Sequence, residues 1–467
     1  MFIKQLYTGC LSEAAYFIES GGEAAVIDPI RDTAAYQSLA EERNAGIKYI
    51  FETHFHADFI SGHLDLAAKT DAPIVYGPGT KTGFPVHVAK DGEEFKIGKL
   101  TIQVIHTPGH TLESTCYLLK GEEGKPYCIF TGDTLFVGEV GRPDLFSGNL
   151  GKEELSGYLF DSLQKLKQLP DEVIVYPAHG PGSACGKNLG PSTSSTIGEQ
   201  KRHNYAMLEE NREAFVEQVT DGLAEPPQYF PINAKINREG YAALEEVLVK
   251  GKVGLSIAAF REKIKNGALI LDTRSGPVFA EGFVPGAVNI GLEGRFAEWV
   301  GVLMPFDRPV VLVTEEGKEE ETIIRMARVG FDKVEGFLEG GFEAWKKAGE
   351  KTDLVINIEA DELAMDMPFD QRLVVVDVRK PSEFINGHVK GARNIPLNDM
   401  TDPVVLGTVD DDHSNLYVHC QTGYRSMIAC SVMKKEGIHN LRNVMGGFNE
   451  LKSTPGIKII KEAGILN

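Results

Sequence analysis

Residues 269–292, LILDTRSGPVFAEGFVPGAVNIGL, return in altered form at 374–397 as VVVDVRKPSEFINGHVKGARNIPL. Further along, EGFLEGGFEAW (335–345) is answered by RNVMGGFNEL (442–451) at nearly the same offset. Solenoid repeats run about 20–50 residues, so a repeat this long marks a duplicated domain. Each copy opens with an apolar run closing on Asp-x-Arg, at Asp272/Arg274 and Asp377/Arg379. A chain of 467 residues has length for roughly three domains. The copies take 251–352 and 353–467, and residues 1–250 form a domain of another kind.

In that first domain, AAVIDP, IKYIFETH, LTIQVIHTPGH, YCIFTGDT and EVIVYPAHG are short apolar runs ending in polar clusters. Each reads as a buried strand that delivers side chains at its C-terminal end. HLDLAAKT, KEELSGYLFDSLQKLKQL and the stretch from His203 to Asp221 read as helices between them. Pro226 and Pro227 then stop helical continuation, so EPPQYFPINAKINREG is expected as an extended excursion closing the domain. The result is an α/β domain with polar residues along one edge of its sheets.

The net charge of −19, without a strong basic cluster, argues against a nucleic-acid partner, because phosphate neutralisation needs a Lys/Arg face. No apolar run approaches the ~18 residues of a membrane span, and the first residues lack the parts of a signal peptide. The six cysteines have no framework spacing, which fits reduced thiols in a cytoplasm better than structural disulfides.

Two clusters carry chemistry. The first begins with His54-Phe-His56-Ala-Asp58, directly after the strand-like YIFET, and continues with His110 in HTPGH, Asp133 in FTGDT and His179 in YPAHG. Each ends an apolar run, so the side chains gather at one edge, and imidazole with carboxylate suits zinc, iron or manganese. His106 reads as a structural residue of the loop carrying His110. His63, His87 and His203 read as surface or hydrogen-bonding residues. The second cluster is NLYVHCQTGYRS, where a strand ends at Cys420 and a helix begins near Ser426. Loop amides and a helix N-terminus directed at the sulfur stabilise a thiolate or persulfide anion, with Arg425 adding positive charge.

The first cluster resembles the metallo-β-lactamase superfamily, whose fold packs two β-sheets between outer helices (αββα). The superfamily pattern HxHxDH is broken here by Phe59 in place of its last histidine, a second-metal ligand, which leaves a site for one metal. Over 1–245 the chain is similar to persulfide dioxygenases, relatives of hydroxyacylglutathione hydrolases, through HTPGHT, FTGDTLFVGEVGRPD and YPAHGPGSACGKN. The resemblance implies one Fe(II) per chain on His54, His110 and Asp133, with zinc or manganese as substitutes. His56, Asp58 and His179 would stand beside the metal and orient its ligands. It also implies oxidation of a thiol persulfide by O2, both oxygen atoms ending on the terminal sulfur, with sulfite released. Arg142 either pairs with an anionic part of the substrate or forms an ion pair with Asp144. Cys185 either carries a persulfide or packs as a small apolar residue.

The second cluster resembles rhodanese over 355–467. Phosphatases use the longer loop HCxxGxxR, whereas CQTGYR has the shorter rhodanese spacing. The resemblance implies Cys420 as the sulfane-sulfur carrier, with Gln421, Thr422, Gly423, Tyr424 and Arg425 shaping its loop and Asp377 and Arg379 bracing it. Cys430 reads as a core residue. In the first copy, PVVLVTEEGKEEET puts Thr314 opposite Cys420, with Glu315, Glu316, Glu319 and Glu320 set to repel an anion, so that copy is expected to be a rhodanese fold without catalysis. The expected function is persulfide oxidation to sulfite coupled to sulfane-sulfur exchange among persulfide, sulfite and thiosulfate, in a homo-oligomer. The alternative is a hydroxyacylglutathione-hydrolase-like thioesterase with a rhodanese passenger, which needs the second metal that Phe59 opposes.

Overall fold

The computed structural model describes residues 1–145, 150–187, 189–223, 225–409 and 414–461. They fall into two compact units: 1–246 together with 324–332, and 247–323 together with 333–467.

Strand Thr115–Lys120 shows how the first unit is built. Successive side chains of a strand point to opposite faces. Tyr117 and Leu119 enter a core shared with Tyr16, Ile27, Phe51 and Val75 of the facing sheet. Cys116 and Leu118 turn the other way, onto Leu159 and Leu163 of helix Lys152–Leu166. Both faces are buried, so Cys116 to Leu119 form a continuous apolar run that does not alternate with polar residues. One six-stranded sheet takes its strands in chain order from Phe2–Thr8 to His87–Val88. The other runs from Ser195–Thr196 back to Glu94–Ile97. The predicted αββα sandwich is the one observed.

Two expectations for this unit need correction. The stretch after His203 is not one helix. Ile197–His203, Tyr205–Leu208 and Arg212–Thr220 are separate. The Asn204 side chain accepts from Ala206 N and that of Asn211 from Ala214 N, so each asparagine starts a new helix, the competition with helical continuation that such side chains offer. The excursion EPPQYFPINAKINREG is not extended throughout, because Phe230–Glu239 is helical. Pro231 sits in the first turn, where its missing N–H costs nothing.

The second unit holds two five-stranded parallel sheets with one strand order. The first is Gly254–Leu255, Val334–Leu338, Val310–Val313, Leu269–Asp272, Val288–Asn289. The second is Ile356–Ile358, Leu441–Val444, Asn415–His419, Leu373–Asp377, Arg393–Asn394. The sequence repeat is thus a structural one. Asp272 and Arg274 pair at 2.6 Å in one copy, as Asp377 and Arg379 do in the other.

Candidate functional site

Strand Glu23–Ile27 ends at Asp28, whose φ of 51° lies in the left-handed region that Asp tolerates better than most residues. Its carboxylate accepts from Thr53 N at 2.7 Å and Thr53 Oγ1 at 2.9 Å. The Thr53 hydroxyl lies 3.0 Å from His54 Nδ1, which leaves His54 Nε2 facing the site. His106 donates to Leu112 O at 2.9 Å and so braces the turn carrying His110. His110 Nδ1 donates to Arg142 O at 2.7 Å, freeing its Nε2 as well. Asp133 follows Gly132, which has φ +52° and would place a Cβ 2.6 Å from Thr53 Cβ. Only glycine lets these two strand ends approach so closely.

His54 Nε2 and His110 Nε2 lie 3.7 and 3.4 Å from Asp133 Oδ2. His179 Nε2 is 3.4 Å from Asp133 Oδ1 and 3.6 Å from Asp58 Oδ2. All five residues are buried. His56 Nε2 lies 3.1 Å from Asp28 Oδ1 and 3.7 Å from Glu52 Oε2. Burial, with His56, His110 and His179 nearby, holds the His54 imidazole well below its usual pKa and therefore neutral, as a ligand must be. Burial disfavours charge on His56 too, but the carboxylates of Asp28, Asp133 and Asp58 outweigh it and raise its pKa.

Both Asp133 oxygens, Asp58 Oδ1 and His179 Nε2 are buried without a hydrogen-bond partner among the described residues. Orphaned buried polar atoms are costly and rare, and a cation among them would satisfy the set. Ligand atoms of His54, His110 and Asp133 lie within 4.8 Å of one another, as do those of His56, Asp58 and His179. The residues fit a metal.

Phe59 is fully buried, with its ring centroid 4.3 Å from that of His56. The Arg142 guanidinium is held by both Asp144 oxygens at 2.6 and 2.7 Å, so the geometry favours the ion-pair alternative. The Cys185 sulfur lies within 4.8 Å of ligand atoms of Asp133 and His179, facing the cluster.

Sequence reasoning missed Asn237. Its Nδ2 donates to His56 O and Phe59 O, both at 2.8 Å, and its Oδ1 accepts from Ser61 N at 2.9 Å. One side chain thus fixes the loop that carries His56 and Asp58. The available signal was Pro231 read as a helix first turn, which would have put Asn237 on a helix. His63, expected at the surface or in a hydrogen bond, is buried 3.1 Å from Glu52. His87 and His203 are exposed.

In the second unit, Cys420 follows strand Asn415–His419 and is 1% exposed. Gly423, with φ +117°, turns its N–H onto Cys420 Sγ at 3.1 Å. The helix starts at Tyr424, two residues before the expected point. Arg379 donates to Gln421 Oε1 at 3.2 Å, and Arg425 forks onto Glu383 at 2.7 and 2.8 Å. Tyr424 OH donates to Gly291 O at 2.9 Å, while Thr422 is exposed. Cys430 is fully buried, and burial pushes its thiol pKa up. In the first copy, Thr314 occupies the position after strand Val310–Val313. There Gly317 N donates to Glu319 Oε1 at 3.3 Å. A carboxylate of the chain itself thus takes the donor that sulfur takes in the second copy.

Residues 8–179 match the Metallo-beta-lactamase superfamily, and 256–348 and 359–454 match the Rhodanese-like domain. Among curated proteins, a hydroxyacylglutathione hydrolase of Tolumonas auensis is 36% identical over 168 residues, 35% of this chain and 60% of that protein. One of Brucella anthropi is 37% identical over 150 residues, 32% of this chain and 53% of that protein. The chain therefore spans little more than half the length of these relatives. Among solved structures, a metallo-beta-lactamase from Staphylococcus aureus is 32% identical with a TM-score of 0.65, over 72% of this chain and 98% of that one. ETHE1 from Myxococcus xanthus is 32% identical over 51% of this chain and 98% of that one, with a TM-score of 0.44. No helix among the described residues is long and apolar enough to cross a membrane. By fold, by the matched domain families and by the similarity to the Staphylococcus aureus structure, the chain belongs to the metallo-β-lactamase superfamily and carries two rhodanese-like domains after that fold.

Proposed function

We propose that the chain oxidises a low-molecular-weight thiol persulfide to sulfite at the His54–His110–Asp133 cluster and exchanges sulfane sulfur at Cys420. The observation that carries this reading is that one chain joins a two-histidine, one-carboxylate cluster to a Cys420 loop whose Gly423 N–H donates to sulfur. Fe(II) bound at such a face keeps open positions for a substrate and O2 and supplies the oxidation. The balance is RSSH + O2 + H2O giving RSH, sulfite and two protons. The protein's part is to hold the ligands: Asp28 through Thr53 orients His54, the Arg142 carbonyl orients His110, and Asn237 fixes the loop between. At the other site, the Cys420 thiolate takes the outer sulfur of a second RSSH, releasing RSH. Sulfite then lifts that sulfur off as thiosulfate and restores the thiolate. The Gly423 amide steadies the anion in both half-reactions. Fusion raises the effective concentration of sulfite at Cys420.

The test is oxygen uptake by anaerobically iron-loaded protein given glutathione persulfide, with sulfite and thiosulfate measured together. Uptake should vanish in His110→Ala, and Cys420→Ser should keep uptake but accumulate sulfite in place of thiosulfate. The similarity to hydroxyacylglutathione hydrolases favours one second reading, a thioesterase. Hydrolysis of an acyl-glutathione without oxygen uptake would establish it and defeat the dioxygenase.

A further inference from the structure

We propose that Glu383 sets which donors Cys420 accepts, by cancelling the charge of Arg425 so that singly charged persulfides are favoured over dianionic thiosulfate. This rests on the sulfur exchange proposed above and deepens it, naming the donor class of that site and the residue that selects it.

From the sequence alone, Arg425 adds a positive charge to the Cys420 loop. In the fold that charge is matched: Arg425 Nη1 and Nη2 donate to the two Glu383 oxygens at 2.7 and 2.8 Å. Glu383 Oε2 also accepts from Lys380 N at 3.0 Å, which fixes the carboxylate in helix Pro381–Ile385. Both side chains are half-buried, 19% and 31% exposed. Burial disfavours charge on Glu383, but the bond and charge of Arg425 outweigh it and hold its carboxyl below the usual range. The other arginine beside the loop, Arg379, is matched by Asp377 at 2.6 Å. Burial lowers the His419 pKa, so that imidazole stays neutral. The charges of the two pairs therefore cancel around a sulfur whose anion the Gly423 N–H steadies. Arg425 lies close enough to Cys420 to act on it electrostatically. Freed of its partner, that charge would attract a dianion twice as strongly as a monoanion.

The duplication supplies an independent observation. In the first copy Thr314 stands where Cys420 does, Glu319 where Arg425 does and Val278 where Glu383 does. The Asp-x-Arg pair is kept, with Asp272 and Arg274 at 2.6 Å. The copy without a reacting sulfur thus keeps the pair that braces the sheet and lacks both members of the pair at the loop. Asp377 and Arg379 therefore serve the fold, whereas Glu383 and Arg425 go with the chemistry of Cys420. Glu383 is a positioning residue that acts through Arg425. With a persulfide, the Cys420 thiolate bonds to the outer sulfur of RSSH, the S–S bond breaks and RSH leaves with the proton. With thiosulfate, the same attack forms the same Cys420 persulfide and expels sulfite. Only the second donor brings two negative charges to the loop. Thiosulfate formed when sulfite removes the sulfur is held weakly for the same reason, and so departs.

Anaerobic alkylation of Cys420 in the full chain, read by peptide mass spectrometry, measures the local charge without any sulfur transfer. The probes are iodoacetate, an anion, and neutral iodoacetamide. Glu383→Gln should raise the iodoacetate-to-iodoacetamide rate ratio about threefold, and Arg425→Gln should lower it by a similar factor. The double variant should return close to the unaltered value. Unfolding would move both single variants the same way, so opposite signs separate charge from lost structure. With cyanide as acceptor, kcat/KM of Glu383→Gln should rise about tenfold for thiosulfate and about threefold for cysteine persulfide, as the donors' charges scale. An unchanged alkylation ratio, or equal factors for the two donors, would overturn the proposal. A ratio that shifts as stated, in a chain that turns over neither donor, would defeat the sulfur exchange and leave the charge role of Glu383 standing.

Discussion

His63 occupies a fully buried place on the first unit, 3.1 Å from Glu52 and stacked on Phe84 with centroids 5.1 Å apart. Burial, with a smaller contribution from His56, lowers its pKa to about 3. An unfolded chain protonates this residue below about pH 6.5, while the folded chain does not until near 3. The unfolded state therefore binds more protons across that window, and stability is lost as pH falls through it, by up to about 1.4 kcal/mol per unit. His63→Gln keeps a donor for Glu52 but cannot titrate. Its urea midpoint should fall less steeply than that of the unaltered protein between pH 6.5 and 4, and equal slopes would show that His63 does not control the acid limb.

At the scale of elements, helix Phe230–Glu239 decides how firmly the metal loop is held. Asn237→Leu removes three hydrogen bonds and strands His56 O, Phe59 O and Ser61 N, which should cost roughly 3–5 kcal/mol. Metal affinity should fall about 10–100-fold, as when other groups that orient ligands are lost. Thermal melts and chelator competition read the two effects separately, and an unchanged affinity would confine Asn237 to stability. This helix also marks where legibility stopped. His54, His110, Asp133 and His179 could be read because each closes an apolar run at a strand end. The duplicated sheets could be read because the Asp-x-Arg strand recurs. Asn237 could not, because three nearby prolines suggested extended chain although Pro231 only opens a helix. The break within 203–221 was hidden too, because the Asn204 and Asn211 side chains cap new helices. Nor could spacing show that Arg425 and Glu383, far apart in sequence, form one forked pair.

For the molecule as a whole, the weightiest feature is that the first unit is discontinuous, with 324–332 belonging to it alongside 1–246. Arg31, its side chain fully buried, donates to Asp332 Oδ2 at 2.8 Å and Ala327 O at 3.0 Å. Arg328 forks onto Asp32 at 2.8 and 2.7 Å, and its carbonyl accepts from Ile60 N at 2.7 Å, just after the metal loop. A chain ending at 246 would lose the Ala327 and Asp332 acceptors of Arg31 and the Arg328–Asp32 pair. That fragment should melt well below the same unit in the full chain, and equal melting would make the segment dispensable. The discontinuity also sets an order of events during synthesis. With elongation at about 5–20 residues per second, the ribosome has finished every residue of the His/Asp cluster several seconds before Arg328 emerges to close the loop. The nascent cluster therefore waits, complete in side chains and incomplete in support, until that segment arrives.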